Sequence, residues 1–272
     1  MIRKAIIPVA GWGTRRLPIT KTIEKCMLPI GNRPLVDYVV QDCLKAGINE
    51  LIFVVGEENR LLQDYYRSNI KLNDYLRSKG KADKLPLVAP LSGVKLHFVT
   101  QPDNGKYGTA IPVGLASHFI EEGESAVVLM GDDFIWNQDG SSEVARLISE
   151  VEVGNCGLLA AQVEPTETAS YGVIEHDADG NYLRIVEKPA PAEAPSNLIN
   201  ISKYLVTKQV IDACQSVAVS SRGEYELPDV INQHISAGGR VKVVPAKGQF
   251  LDGGTLDGWL HANNVVVGAK QN

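Results

Sequence analysis

A glycine-rich loop after the first apolar segment constrains this chain more than any other feature. Residues 5–10 form an apolar run with the length of a buried strand in a parallel sheet. The run ends in Gly11-Trp12-Gly13-Thr14, where two glycines let the backbone turn and present N–H groups to an anion. The basic residues around this turn are Arg15, Arg16, Lys21 and Lys25. The segment therefore predicts a phosphate-binding loop.

Two better-known glycine loops do not match this segment. A dinucleotide-binding fingerprint needs a third glycine at the start of a helix, but Arg16 stands there and Pro18 follows. A P-loop would close with Gly-Lys-Ser or Gly-Lys-Thr, which this segment lacks. An ordinary strand-to-loop turn with solvated basic residues is the alternative. The convergence of so many donors in one short segment favours the phosphate site, and a nicotinamide oxidoreductase is the least supported class.

Composition bounds the remaining possibilities. The 272 residues suffice for one large α/β domain or two small ones, and a net charge of −5 argues against broad nucleic-acid binding. The four cysteines are far apart and form no metal-binding pattern, so we expect reduced thiols. No signal peptide precedes Ile6, and no apolar run approaches the ~18 residues of a membrane span. We expect a cytoplasmic protein without membrane contact.

Strand and helix patterns alternate along the first part of the chain. After the first run, strands are predicted at residues 51–55, 95–100, 126–130 and 157–163, and helices at 34–47, 59–67, 109–120 and 142–151. This order predicts an α/β, Rossmann-like fold with a mostly parallel central sheet covered by helices. Ligands bind outside the carboxyl ends of the strands in such sheets. The glycine loop and Gly131-Asp132-Asp133 both fall at such ends.

The loop pattern IPVAG-x-GTR-x-LP-x-TK, followed by K-x-MLP, resembles that of bacterial UTP:glucose-1-phosphate uridylyltransferases, within the sugar-1-phosphate nucleotidyltransferase family. The resemblance spans roughly residues 3–262. It implies that Arg15 and Lys25 contact the phosphates of the nucleoside triphosphate, and that the loop wraps around it. The loop residues implied are Ala10, Gly11, Gly13 and Thr14. One departure is Glu24-Lys25-Cys26, where the family has Pro-Lys-Glu.

Gln101 and Gly108 are candidates for binding the base. An amide offers both a donor and an acceptor to the edge of uracil or thymine, and a glycine lets a base lie against the backbone. The resemblance implies this role for Gln101, for Gly108 and for the neighbouring Thr109. Thr109 stands where the family has histidine. Gly11 would lie against the same base.

Asp132 and Asp252 are candidates for a magnesium site. Each follows a short apolar strand and adjoins glycine. Mg²⁺ prefers one or two carboxylates together with phosphate oxygens and water. The resemblance implies that these two residues bind Mg²⁺, whereas a single aspartate of this kind is as often a turn or helix-capping residue.

A β-rich subregion after residue 165 is predicted to bind the sugar phosphate. Glu187-Lys188-Pro189 resembles the Val-Glu-Lys-Pro motif of the family, which implies that Glu187 contacts sugar hydroxyls and Lys188 the phosphate. Tyr171-Gly172 resembles a Tyr-Gly pair that meets the hexose. Ile199 and Ser202 are bulkier than the family's alanine and glycine, which makes the choice of hexose less certain than the reaction.

These patterns predict a single nucleotidyltransferase domain over residues 1–272. Residues 1–165 form its nucleotide-binding half, 166–254 its sugar-phosphate part and 255–272 a C-terminal helix. The expected reaction is uridylyl transfer from UTP to glucose 1-phosphate with Mg²⁺, catalysed through Arg15, Lys25, Asp132 and Lys188. Thymidylyl transfer, another hexose 1-phosphate, or a regulatory paralogue that binds nucleotide sugars remain alternatives. We also expect a homo-oligomer, for which an apolar stretch at residues 265–267 is a candidate interface.

Overall fold

The computed structural model describes residues 1–269 of the chain. Its strands are β1 (Lys4–Pro8), β2 (Pro29–Ile30), β3 (Arg33–Pro34), β4 (Glu50–Gly56), β5 (Lys95–Gln101), β6 (Ser125–Leu129), β7 (Asp133–Trp136), β8 (Cys156–Gln162), β9 (Gly172–His176), β10 (Tyr182–Glu187), β11 (Leu198–Thr207), β12 (Val241–Pro245) and β13 (Gln249–Asp252). Its α-helices are α1 (Leu35–Lys45), α2 (Leu61–Tyr66), α3 (Ile70–Ser78), α4 (Ala110–Leu115), α5 (Glu143–Glu150), α6 (Lys208–Ala213), α7 (Leu227–Ser236) and α8 (Leu256–Gly268). The expected C-terminal helix is present, and residues 270–272 lie outside the described residues.

The central sheet confirms the expected α/β class. Strands β5, β4, β1 and β6 lie side by side and parallel. β11 follows and is antiparallel both to β6 and to β8, while β8 is parallel to β12. The alternation of strands and helices predicts the parallel part but not the central position of β11. β11 belongs to the segment expected to bind the sugar, and it pairs directly with β6 of the expected nucleotide half.

Each face of the sheet is covered by apolar side chains and helices, since neighbouring residues of a strand point to opposite faces. Ile7 and Phe53 pack with the side chains of α1 on one face. Ile6 and Ile52 pack with side chains of α4 and α6 on the other. Burial on both faces explains why these strands are continuous apolar runs in the sequence. No helix within residues 1–269 is both long and apolar enough to cross a membrane.

A small separate sheet consists of β7 and β13, which pair antiparallel. The sequence predicts β13 but not β7, because β7 has four residues and follows β6 after only three. In this pairing Asp252 stands opposite Asp133. The pairing thereby joins the chain after Gly131 to the chain before Gly253.

β11 is irregular in its middle, where it passes the end of β6. Its register against β8 shifts between Asn200 and Lys203, and Ser202 adopts a left-handed backbone with φ 52°. The Oδ1 atom of Asn200 accepts hydrogen bonds from the Ser202 N–H and the Tyr204 hydroxyl, both at 3.0 Å. The irregularity therefore has its own polar support and is not a loose segment.

Candidate active site

A cavity of about 350 Å³ opens where the loop after β1 meets the ends of β5 and β6. β1 and β6 are parallel neighbours, so their carboxyl ends meet at one edge of the sheet. The predicted residues that line the cavity are Ala10, Gly11, Gly13, Thr14, Arg15, Lys25, Gln101, Gly108, Thr109 and Asp132. Tyr171, Gly172, Glu187, Lys188 and Asp252 are not among the lining residues. The structure thus brings together the residues expected to bind the nucleotide.

The glycine loop closes on itself at Gly13. Gly13 has φ 64°, and its carbonyl accepts a hydrogen bond from Thr20 Oγ1 at 2.9 Å. A Cβ at this position would lie 3.0 Å from Thr20 Cγ2 and 3.1 Å from Lys25 Cβ. Glycine is therefore required both by the backbone conformation and by the close approach of Lys25. The compact loop holds Lys25 beside the cavity.

Two of the four loop cations do not line the cavity. Arg16 is 6% exposed; its Nη1 donates to the Thr255 carbonyl, and its guanidinium lies 5.2 Å from the ring centre of Trp259. Burial lowers the pKa of Arg16, and Asp252 opposes that shift. Lys21 is exposed. The expectation that all four cations surround an anion is therefore wrong for Arg16, which attaches the loop to the start of α8.

Lys25 and Asp132 form an ion pair at the centre of the site. Lys25 Nζ donates to Asp132 Oδ2, and the Lys25 side chain is only 11% exposed. Burial acts against ionisation of Asp132, but the charge and hydrogen bond of Lys25 outweigh it, so the pKa of Asp132 is lowered. Asp132 therefore remains a carboxylate at neutral pH, as a metal ligand must.

Asp252 is brought to the same place from the far end of the chain. The Gly253 N–H donates to the Asp132 carbonyl at 3.1 Å, and the Gly254 N–H donates to Asp252 Oδ1 at 2.6 Å. A Cβ on Gly254 would lie 2.7 Å from Asp252 Oδ1 and 3.2 Å from both Arg15 Nη2 and Lys25 Nζ. The two predicted carboxylates and the two predicted phosphate cations thus converge around Gly254.

The donor set fits a magnesium ion that is shared with a substrate. Within residues 1–269 no group of three or more His, Cys, Asp or Glu side chains is arranged to hold a metal by itself. Two carboxylates beside the glycine loop, Asp132 and Asp252, match the preference of Mg²⁺ for few protein ligands, completed by phosphate oxygens and water. Asp132 and Asp252 are the residues that would hold it.

Lys203 and Asp133 form a buried ion pair that sequence analysis missed. Lys203 is 3% exposed, and its Nζ donates to Asp133 Oδ1 and, at 3.2 Å, to the Asp133 carbonyl. Burial raises the pKa of Asp133 to about 7; Lys203 opposes this rise, and Asp132 and Asp252 add to it. A lysine inside the apolar run of β11 was the available signal, because a buried lysine needs a partner.

The cavity wall at Gly108 and Thr109 packs against a segment from much later in the chain, residues 224–227. Gly108 has φ 135°, and a Cβ there would overlap the backbone of Tyr225. The Tyr225 carbonyl accepts from the Ala110 N–H at 3.0 Å, and Thr109 Oγ1 accepts from the Leu227 N–H at 2.9 Å. This packing places Glu224 in the cavity lining. The Thr109 hydroxyl is thus engaged with α7, and contact of Thr109 with a base stays a prediction.

The residues expected to bind the sugar phosphate form a second group. Gly172 stands opposite Glu187 across β9 and β10, and the Lys188 N–H donates to the Tyr171 carbonyl at 2.9 Å. Glu187 Oε1 accepts from Arg222 Nη1 at 3.1 Å, a partner that sequence analysis did not identify. Burial raises the pKa of Tyr171, and nearby Asp252 adds to that rise.

The chain belongs to the nucleotidyl transferase family, whose model matches residues 4–267. It is 34% identical to a UTP–glucose-1-phosphate uridylyltransferase of Streptococcus pneumoniae, over 95% of this chain and 88% of that relative. A Streptococcus pyogenes enzyme of the same description is 35% identical with the same coverage.

Solved structures agree with this assignment. A UTP-bound UGPase from Acinetobacter baumannii has a TM-score of 0.87 at 27% identity, over 98% of this chain and 93% of that one. A UDP-glucose pyrophosphorylase complexed with UDP-glucose has a TM-score of 0.82 at 28% identity, over the full length of both chains.

Proposed function

We propose that this protein transfers a uridylyl group from UTP to glucose 1-phosphate and so forms UDP-glucose and pyrophosphate. The observation that carries the proposal is the convergence of Arg15, Lys25, Asp132 and Asp252 around Gly254, beside the cavity formed by the glycine loop. The uridylyltransferase relatives, which align with nearly the whole chain, support the choice of UTP and glucose 1-phosphate.

The reaction requires positioning and charge neutralisation more than a protein nucleophile. An oxygen of the sugar phosphate attacks the α-phosphorus of UTP, the bond to the bridging oxygen breaks, and pyrophosphate leaves with that electron pair. Both reactants are anionic, so aligned cations lower the barrier. Mg²⁺ held by Asp132 and Asp252 would neutralise charge on the phosphates.

Each group of residues has its own part in this proposal. Ala10, Gly11, Gly13 and Thr14 wrap the triphosphate, and Arg15 and Lys25 bind its phosphates. Gln101, Gly108 and Thr109 hold the base. Glu187 and Lys188 orient the glucose 1-phosphate, and Tyr171 and Gly172 border the hexose. Lys188 adopts a left-handed backbone conformation, with φ 46°, directly after β10 ends at Glu187.

Ser202 is a cavity residue that bears on the choice of sugar substrate. Ser202 lines the cavity, whereas Ile199 is fully buried in the sheet. Of these two departures in the part predicted to bind the hexose, only Ser202 lines the cavity. We propose glucose 1-phosphate as the acceptor, with dTTP and other hexose 1-phosphates as the competing substrates.

We further propose that the enzyme is a single-domain, cytoplasmic protein that self-associates. Four free and buried cysteines, Cys26, Cys43, Cys156 and Cys214, support a reducing compartment. Large apolar side chains on the segment around α3 are exposed, Ile70 by 71% and Leu87 by 82%, which supports an interface there. At residues 265–267, Val266 is fully buried and Val267 is 39% exposed, so this stretch contributes mainly to the core.

A substrate panel tests the proposed activity. Pyrophosphate release is measured with UTP, dTTP, CTP and ATP, each combined with glucose, galactose and glucosamine 1-phosphates. We expect the highest kcat/KM for UTP with glucose 1-phosphate, and UDP-glucose as the product by mass spectrometry. A higher kcat/KM with dTTP than with UTP would identify dTTP as the nucleotide substrate. Tight binding of UDP-glucose, without turnover of any nucleotide and sugar phosphate, would favour a regulatory protein over an enzyme.

A further inference from the structure

A third carboxylate, Asp133, adjoins the two carboxylates of the site, Asp132 and Asp252. Asp133 follows Asp132 directly and stands opposite Asp252 across the β7 and β13 pairing. The Gly253 N–H, next to Asp252, donates to the Asp132 carbonyl at 3.1 Å. Asp133 is therefore connected to both carboxylates, to Asp132 through one peptide bond and to Asp252 through the strand pairing.

Lys203 holds this third carboxylate from inside the protein. Its Nζ contacts both the side chain and the carbonyl of Asp133, and its own side chain is 3% exposed. The irregular turn of β11 at Ser202 immediately precedes Lys203, and Ser202 itself lines the cavity. The same bulge thus supplies a cavity residue and, one residue later, a cation beneath the site.

The cations of the site differ in what they can do when a triphosphate binds. Arg15 is exposed, and both Arg15 and Lys25 line the cavity, so phosphate oxygens can engage both. Lys203 does not line the cavity. Its Nζ contacts Asp133. It is therefore placed to offset the mutual repulsion of Asp132, Asp133 and Asp252 without itself lining the cavity.

We propose that Lys203 is a positioning residue, which acts through Asp133 to hold Asp132 and Asp252 in the geometry that binds the catalytic divalent cation. This inference rests on the proposed function. Residues that support metal ligands in this way typically change metal affinity or activity by about 10–100-fold when they are replaced.

The test measures Mn²⁺ binding by electron paramagnetic resonance with UTP present and sugar phosphate absent, so that no turnover occurs. The first variant is Lys203→Met/Asp133→Asn, which removes both charges and leaves no buried carboxylate unpaired. The second is Asp133→Asn alone, a nearly isosteric change that removes only the carboxylate charge. Calorimetry gives the metal-free UTP affinity, and a melting curve gives the stability of each variant.

A matched pair at the opposite end of β1 provides the control. Lys4 Nζ donates to the Phe119 carbonyl at 2.9 Å and to Glu124 Oε2 at 2.6 Å, which is the same arrangement of one carbonyl and one carboxylate. Lys4→Met/Glu124→Gln should leave Mn²⁺ affinity as in the unmodified protein.

We expect Lys203→Met/Asp133→Asn and Asp133→Asn to bind Mn²⁺ about 10–100-fold more weakly than the unmodified protein does. Their affinity for metal-free UTP should be unchanged. Wild-type Mn²⁺ affinity in Lys203→Met/Asp133→Asn, or in Asp133→Asn if the double variant does not fold, would overturn the positioning role and leave the proposed function intact. Failure of the unmodified protein to bind Mn²⁺ with UTP would overturn both this role and the proposed metal site.

Discussion

Thr109 Oγ1 accepts a hydrogen bond from the Leu227 N–H at 2.9 Å, which joins the residue before α4 to the first residue of α7. This contact fixes the segment that carries Glu224 into the cavity. Thr109→Val keeps the shape of the side chain but removes the acceptor.

For Thr109→Val we expect a loss of about 1 kcal/mol in the free energy of unfolding and a weaker affinity for UTP. Thr109→Ser retains the hydroxyl and should restore most of both. Chemical denaturation and calorimetric UTP titration measure the two effects. Equal affinity in the Val and Ser variants would mean that the hydroxyl does not support the nucleotide site.

The backbone of Gly108, in the cavity wall, packs directly against the backbone of Tyr225. Gly108→Ala would place a methyl group in the space of the Tyr225 carbonyl and also strain a residue with φ 135°. Gly105→Ala is the control, because φ is 77° there but no atom lies within 4 Å of a Cβ. We expect Gly105→Ala to cost about 1 kcal/mol of stability at unchanged KM for UTP, from backbone strain alone. Gly108→Ala should be much less stable and raise KM, and similar behaviour of the two variants would contradict the close packing.

Lys25 and Lys21 provide a matched comparison within the glycine loop. Lys25→Met removes a cation that lines the cavity, whereas Lys21→Met removes an exposed cation that does not. We expect Lys25→Met to lower kcat for pyrophosphate release by about 10²–10³-fold, as for other preorganised electrostatic contacts. Lys21→Met should stay close to the unmodified enzyme. Steady-state kinetics at saturating Mg²⁺ decide this, and equal losses in both variants would show that only the general charge of the loop matters.

His234 predicts how stability depends on pH. Burial lowers the pKa of His234 below its usual value of 6.5, and its Nε2 has no hydrogen-bond partner among residues 1–269. Between the lowered pKa and 6.5, the unfolded chain therefore binds more protons than the folded chain, so stability rises with pH. We expect His234 to contribute a fall in the free energy of unfolding on acidification below about pH 6.5, and His234→Gln to lack this contribution, while the raised pKa of Asp133 acts in the opposite direction in both proteins. Parallel slopes for both proteins in urea titrations at several pH values would assign the effect to other groups.

The sequence predicts those parts of the fold that depend on local pattern. β4 and β6 are apolar runs that can be recognised without any partner, and the glycine loop is identified by its turn chemistry. Asp132 is placed correctly because it follows such a run. α1 is predicted almost to the residue, since Pro34 and Gly47 mark its ends.

Features that depend on contacts between distant segments could not be predicted in this way. β7 forms through its pairing with β13, and four residues are too few for a sequence pattern that would predict this partner. Arg16 is as basic as Arg15 in the sequence, but Trp259 and Thr255 draw it away from the cavity. The partner of Lys203 is likewise set by the antiparallel insertion of β11, which the alternation of strands and helices does not predict.

Asp132 and Asp252 are proposed to hold one metal ion during uridylyl transfer. A double-mutant cycle tests it most directly, with kcat for UDP-glucose formation measured for Asp132→Asn, for Asp252→Asn and for the double variant. If both residues hold one ion, each single variant should lose about 10²–10³-fold and the double variant should be little slower than the slower single one. Losses that multiply in the double variant, or a single variant with unchanged kcat, would show that Asp132 and Asp252 do not act through one metal ion.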